Sequence, residues 1–494
     1  MSRLVVMGLD GFHEDLLEYT PFIKQLYESN PSCELESTKP PVTAPAWASF
    51  QTGKQQGKHG VYDFVNYDDD REMSFVDGTQ LRAKTFYEYL DDGGYDCFLY
   101  NLPYTRPSRI DGDIVPSWLS DNIEPTPEGL YSRYDIEPPL YPQNDGTELE
   151  NVREMRKTLQ HNAEQFQTVL KEDDHDFLFQ LISETDWLQH FGYRELQLNP
   201  NSAVSEASIK LLRDVDEYVE RVQGALSEDD ILLLMSDHGF NLYEGVFYIN
   251  DWLKKKGYLE TGSSTVDDKD QSQNTLSTGS IGRVLLQQQW LHPILRPMKN
   301  LIRSAFDIEF SFEEGIDFES SNAWCLSKDE ASIRLNKQLT ADESARVVDE
   351  ICKQIASETA VNAYRADEIY EGEFSEEAGE IVLESVTHKA YRGPTGAVKL
   401  NTPIAHHDSA GIFAAIGDVP SNQLSPANLI DVAPTLLGLL DSPIPDDFDG
   451  EPIQQLLKKD IDYIKAPDNY TLNQTKTEGD MGGVEDRLEN LGYL

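Results

Sequence analysis

The chain is short of positive charge. Its 494 residues carry 41 Lys and Arg against 88 Asp and Glu, a formal net charge of −47. A surface this acidic repels phosphate backbones and anionic headgroups, which sets aside nucleic-acid polymers and polybasic membrane anchoring; small phosphorylated substrates stay open. Long apolar runs are missing too: nothing approaches the ~18 consecutive residues of a membrane span. Cysteine is scarce. Cys33, Cys97, Cys325 and Cys352 show no CxxC pairing or regular spacing, which argues against a disulfide framework and a thiolate metal site. The opening "MSRLVVMGLD" has neither the apolar stretch nor the small-residue cleavage site of a secretory signal, so the cytoplasm is the expected location. No internal repeat is visible.

What is present suits a folded protein: 39% hydrophobic residues, 10% aromatics, 25 Pro and 32 Gly. The acids therefore sit on a folded surface. They are dispersed, with only short runs such as Asp68 to Asp70 and Glu172 to Asp174, and the reading that explains them is adaptation to a saline solvent, where screening removes the self-repulsion. Apolar runs at Leu4 to Leu9, Cys97 to Leu102, Phe177 to Ile182 and Ile231 to Met235 predict strands buried on both faces. Thr147 to Leu170 and Asn201 to Leu226 predict helices long enough for crossovers. The alternation predicts an α/β fold with a largely parallel sheet. Residues 1–255 are read as the first part of a catalytic core, 256–380 as an inserted cap with a flexible linker at 261–280, and 381–464 as the core's second part. The tail 465–494 ends in an amphipathic docking helix from Val484. Within the cap, Ile281 to Phe306 holds Arg283, Arg296, Lys299 and Arg303 and no acid, a local inversion of charge. It reads as proline-broken helices packed on the body, or as a basic lid or peripheral membrane contact.

In a chain so rich in acids, position must distinguish the useful ones. Ligands of open α/β sheets bind beyond the carboxyl ends of strands. The first strand runs into Asp10, with Gly8 and Gly11 allowing a tight turn, and the strand Ile231 to Met235 runs into Asp237 and His238. After Phe177 to Ile182 comes "SETDWLQHFGY", where Asp186 and His190 are four apart and share one helix face. His406 and His407 precede "DSAGIFAAIG", and at most one of two adjacent histidines faces a given ion. Oxygen and imidazole donors together suit zinc or a related ion better than magnesium or calcium. In "TKPPVTAPAWASF", Thr43 stands between Pro41 and Pro45 at a predicted helix start, where anions are favoured. A metal that lowers its pKa makes such a hydroxyl a nucleophile, and a two-metal phosphoryl displacement uses all of these parts.

The ordered set "GLDG", "PPVTAPAWASFQTGKQQGKHG", "SETDWLQH", "SDHG", "HHDSAGIF", "DVAPTLLGLL", "DFDG" and "RLENLGYL" resembles the type I phosphodiesterase and nucleotide pyrophosphatase branch of the alkaline phosphatase superfamily. The resemblance implies a three-layer sandwich and two divalent ions, zinc foremost, with manganese or iron as alternatives. One ion would be held by Asp10, Thr43, Asp237 and His238, and the other by Asp186, His190 and His407. His407 is preferred to His406 because the ligand of similar sequences lies four residues before the Gly of "GIF", here Gly411. Thr43 would form a phosphothreonine, and the substrate would be a small phosphodiester, nucleotide-like or linked to a glycan or lipid. Trp47 falls where sulfatases carry an arginine, which disfavours that activity. Asp63 and Phe64 stand where nucleotide pyrophosphatases usually carry an asparagine, with Asn66 close by; Asn66 and Trp47 are the candidate substrate contacts. The alternatives are a phosphomonoesterase, phosphonate hydrolase or phosphotransferase, or a module that binds phosphate esters without turning them over.

Overall fold

The structure is a computed structural model and describes residues 3–67, 71, 73–120, 122–172, 175–262, 316–327, 332–393, 396–420, 423–467, 470, 482–491 and 493. Almost all of the linker and the whole of Ile281 to Phe306 lie outside them.

Alternation along the strands explains the layering. In Leu4–Leu9, Val5, Met7 and Leu9 enter one apolar core, while Leu4 and Val6 enter another on the opposite face. Phe177–Ile182, Ile231–Met235 and Cys97–Tyr100 split in the same way. Each is a continuous apolar run because both faces of its sheet are covered. Pro21–Ser29, Glu148–Glu172, Glu184–Leu198 and Ala203–Gln223 cover one face, and Thr43–Thr52, Phe86–Asp92 and Val432–Leu439 the other.

The central sheet has eight strands, in the order Ala427–Asn428, Ser32–Glu36, Ala410–Ile416, Ile231–Met235, Leu4–Leu9, Phe177–Ile182, Cys97–Tyr100 and Asp113–Val115. Ala410–Ile416 is antiparallel to both neighbours, and the other pairings are parallel. That one reversal matters for the site. The beginning of Ala410–Ile416, and the histidines just before it, lie at the edge where the parallel strands end.

A third apolar core gathers Phe247, Ile249, Leu253, Ile333, Ile351, Ile355, Ile381 and Leu383 around an antiparallel four-stranded sheet, Ala323–Trp324, Ser332–Leu335, Ile381–Ser385 and Val361–Arg365, and the helix Ala341–Glu358. It meets the main body at the turn after Thr43–Thr52, where the Phe374 N–H bonds the Gly57 carbonyl at 2.8 Å and the Arg82 guanidinium lies 3.6 Å over the Phe374 ring. The four cysteines are free thiols. Among the described residues no helix is long and apolar enough to cross a membrane.

Candidate metal centre

The strand Leu4–Leu9 delivers Asp10 to the carboxyl edge. Gly11 follows in the left-handed region at φ +66°, and its N–H donates to Asp237 Oδ1 at 3.1 Å. A Cβ on Gly11 would stand 3.0 Å from Asp186 Oδ1, so glycine is needed there for conformation and for space. Gly8, expected in the turn, is instead inside the strand, and its missing side chain makes room for the Trp47 ring, 2.8 Å from where a Cβ would be.

Asp237 and His238 follow Ile231–Met235 directly. The His238 Nδ1 faces the Gly239 carbonyl at 2.9 Å, and since a carbonyl only accepts, Nδ1 carries the proton. Its Nε2 lone pair therefore points inward, 3.1 Å from Thr43 Oγ1, 3.4 Å from Asp237 Oδ2 and 3.7 Å from Asp10 Oδ1. Thr43 is the first residue of the helix Thr43–Thr52 and is wholly buried.

The helix Glu184–Leu198 places Asp186 and His190 on one face, as the spacing of four requires. His407 comes from the strand Ile404–Asp408, paired antiparallel with Gly239–Tyr243. Its Nε2 lies 3.0 Å from His190 Nε2 and 3.3 Å from Asp186 Oδ1, and its ring stacks on His238 at 4.2 Å. Asp186 Oδ2 is 3.3 Å from His190 Nε2.

The structure thus brings together Asp10, Thr43, Asp186, His190, Asp237, His238 and His407. Two triads of donor atoms, Asp10–Asp237–His238 and Asp186–His238–His407, each fall within 4.8 Å. Asp10 Oδ1, Asp186 Oδ1 and Asp237 Oδ2 are buried without a hydrogen-bond partner. Unpaired buried carboxylate oxygens are costly, and a cation satisfies them. Donors held tetrahedrally at zinc distances stand about 3.3 Å apart, which the separations around Asp186 match. The residues therefore fit divalent ions.

The electrostatics agree. Burial, with Asp237 and Asp186 alongside, pushes the Asp10 carboxyl well up, and burial pushes Asp237 up as well. Burial also acts to raise Asp186, but His190 and His407 hold it well below the ordinary carboxylate range. Burial and His238 push His407 well down, so it stays a neutral donor. Crowded carboxyls that resist joint ionisation are what a dication relieves.

The two candidate substrate contacts are placed differently. Trp47 is fully buried among Phe50 and Phe179, at 5.4 and 5.7 Å between ring centroids, and its indole lies near enough to the Asp10 carboxyl to act against the rise in that group's pKa. Asn66 sits half-buried opposite Ser74 in a hairpin, and among the described residues no contact ties it to the cluster. One residue was missed. Tyr493 places its hydroxyl against Asp186 Oδ2 and 3.2 Å from His190 Nε2. Its signals were the docking helix that precedes it and its place in the terminal "RLENLGYL".

An α/β fold with a carboxylate–histidine cluster at the strand ends beside a helix-initial threonine is the arrangement of a phosphoryl hydrolase. The chain belongs to the type I phosphodiesterase / nucleotide pyrophosphatase family, whose model matches residues 4–392. Among solved structures it is similar to human ectonucleotide pyrophosphatase / phosphodiesterase 5, with TM-score 0.53 and 12% identity over 93% of this chain and 100% of that one. It is also similar to phosphonoacetate hydrolase from Sinorhizobium meliloti in complex with phosphonoacetate, with TM-score 0.55 and 15% identity over 87% and 94%. The alkaline phosphatase PafA gives TM-score 0.51 and 15% identity over 92% and 99%. At these identities the likeness is one of fold. No curated protein matches the sequence.

Proposed function

We propose that this protein hydrolyses a small phosphate ester, a phosphodiester foremost, by transfer of the phosphoryl group to Thr43. The observation that carries the reading is the convergence of three unpartnered aspartate oxygens with the Thr43 hydroxyl, 3.1 Å from the bare Nε2 of His238, at a helix N-terminus. In this reading Asp10, Thr43, Asp237 and His238 hold one ion, and Asp186, His190 and His407 the other. Zinc suits this mixture of donors. When bound, the ions supply charge to offset the anionic substrate and lower the pKa of the nucleophile.

The protein's own part begins with Thr43. Its hydroxyl oxygen forms a bond to phosphorus, the bond from phosphorus to the ester oxygen breaks, and the hydroxyl proton ends on that leaving oxygen, releasing an alcohol or a nucleotide-like group. Water then attacks the phosphothreonine, the bond between phosphorus and Thr43 Oγ1 breaks, and a proton of that water passes to Thr43. The carboxylates of Asp10, Asp186 and Asp237 would hold the cations, and the N-terminus of Thr43–Thr52 favours the phosphoryl anion. We further propose that residues 256–380 form a cap on this core, and that the acidic surface is matched to a saline medium.

A phosphonate hydrolase and an alkaline phosphatase share this fold, so the preferred ester is a question for kinetics. On one zinc-loaded preparation, bis(4-nitrophenyl) phosphate is expected to turn over faster than 4-nitrophenyl phosphate. Thr43→Ala should lower the diester rate at least ~10³-fold while the protein still binds zinc. Diesterase activity retained in Thr43→Ala would sink the mechanism, and a faster monoester would make the protein a phosphomonoesterase.

A further inference from the structure

The last helix of the chain, Gly482–Leu491, lies across the helical layer that carries Asp186 and His190. Val484, Leu488 and Leu491 are buried in the main core, Arg487 Nη2 donates to the Ser120 carbonyl at 3.1 Å, and Asn490 Nδ2 donates to the Gln143 carbonyl at 2.8 Å. The Tyr493 N–H bonds back to the Leu488 carbonyl at 2.9 Å, turning the chain end inward. The Tyr493 ring is only 3% exposed. It is held by Phe64, 4.7 Å between centroids, by Trp118 at 6.3 Å and nearly parallel, and by the edges of His190 and His407 at 5.1 and 5.7 Å.

A ring packed on every side fixes where its hydroxyl points. That hydroxyl donates to Asp186 Oδ2 and stands 3.2 Å from His190 Nε2. The other oxygen of the same carboxylate, Asp186 Oδ1, has no hydrogen-bond partner and lies 3.3 Å from His407 Nε2. The two oxygens of Asp186 thus differ: Oδ2 accepts from the phenol and lies 3.3 Å from His190 Nε2, while Oδ1 is left without a hydrogen-bond partner beside His407. A carboxylate that turns freely presents either oxygen to a cation. One pinned by a rigid donor presents a single oxygen in a single orientation, which is how outer partners tune the affinity of ligating groups.

We propose that Tyr493 is a positioning residue of the metal centre, delivered by the C-terminal helix, and that its hydroxyl holds Asp186 so that one carboxylate oxygen stays directed at the ion shared with His190 and His407. This rests on the two-ion reading above. It makes the end of the chain a part of the site, with Tyr493 set 307 positions from the aspartate it orients.

The test uses full-length protein stripped with a chelator and titrated with Zn²⁺ and, separately, with Co²⁺, whose visible spectrum reports ligand geometry. Tyr493→Phe removes one oxygen and keeps the ring. Phe64→Leu loosens the packing on the ring and keeps the hydroxyl. Wild type is expected to bind two Zn²⁺. In Tyr493→Phe one of the two should bind 10–100-fold more weakly, with the other unchanged and with a shifted Co²⁺ band for the weakened site. Phe64→Leu should keep both affinities, and thermal unfolding in chelator verifies that each variant is folded. The proposal is overturned if Tyr493→Phe binds both ions as wild type does, or if Phe64→Leu weakens the same ion equally, which would make packing the cause. A phenolate charge-transfer band in wild type loaded with Fe³⁺ would overturn it too, by making Tyr493 a direct ligand. Wild type that binds no ion would remove the two-ion reading itself.

Discussion

A single methyl group at Gly11 tests whether the strand-end geometry, rather than the ligand identities alone, sets the metal site. Gly11→Ala touches no proposed ligand by name. It acts in two ways. First, Gly11 is at φ +66°, and a left-handed conformation costs an alanine about 1–2 kcal/mol. Second, the new Cβ would lie 3.0 Å from Asp186 Oδ1 and 3.2 Å from Gln189 Nε2, whereas non-bonded atoms settle nearer ~3.5 Å. The Gln189 amide is itself tied to the Gly11 carbonyl at 2.8 Å and to the Thr185 carbonyl at 3.1 Å, so the helix carrying Asp186 has little room to yield. Together these predict a loss of about 2–3 kcal/mol in the metal-free protein and, because the displaced atom is the bare oxygen of Asp186, roughly tenfold weaker zinc binding. Gly94→Ala is the control. Its φ is +81°, but no atom lies within 4 Å of the added Cβ, so it should show the conformational cost and an unchanged zinc affinity. Denaturant unfolding in chelator and zinc titration by calorimetry measure the two effects separately. Gly11→Ala with wild-type zinc affinity would refute the claim that the Asp10–Gly11 turn positions Asp186.

Two further predictions concern the body of the protein. His59 is fully buried; Val61 N–H donates to its Nδ1 at 3.1 Å, so Nε2 carries the proton and donates to Ser49 Oγ at 2.9 Å, and burial, with Arg82 and Lys54 nearby, pushes its pKa down to about 3. An unfolded chain protonates this group near 6.5, so the stability that His59 contributes is complete above that pH and is lost as pH falls toward 3, at about 1.4 kcal/mol per unit. His59→Gln should remove that slope between pH 6 and 4 in denaturant titrations, and equal slopes in the two proteins would rule the account out. With a net charge of −47, the unfolding temperature should climb as KCl rises from 0.1 to 2 M, since the screening length falls from about 10 Å to under 3 Å; a flat response would discard the saline reading.

The central strands and the long helices were legible because burial on both faces writes itself as unbroken apolar runs, and because Asp186 and His190 are spaced by one helical turn. That six aspartates and histidines come together was legible for a related reason: Asp10, Asp237, His238 and His407 lie at or near strand ends, Asp186 lies at a helix start, and His190 follows it by one turn. What failed was orientation. Ala410–Ile416 reads as one more apolar strand, and nothing in its composition reports that it runs against its neighbours. Trp47 reads as a candidate substrate contact, at the position where sulfatases carry an arginine. Yet all ten residues of Thr43–Thr52 are buried, so the helix shows no polar face from which its inward side could be told. Tyr493 stands in the quoted "RLENLGYL", but its role was not legible: its partner is 307 positions away, and local patterning carries no information about such a pairing.

The charge of the site can be set against the charge of the chain. A phosphate ester must approach a protein of net charge −47, and the metal-free cluster offers three carboxylates and three histidines. Were all three carboxylates ionised, the cluster would add three negative charges to the repulsion; burial resists this by pushing Asp10 and Asp237 up. On the two-ion proposal, two dications against three carboxylates and neutral imidazoles would turn the local sum to plus one. The sign of the field at Thr43 would then depend on the ions, and metal loading would govern substrate approach. On that proposal, apparent substrate affinity should weaken as metal is removed rather than follow the surface charge. Dications in the site would act at a few ångströms in a buried setting that salt screens weakly, whereas salt screens the outer acids strongly.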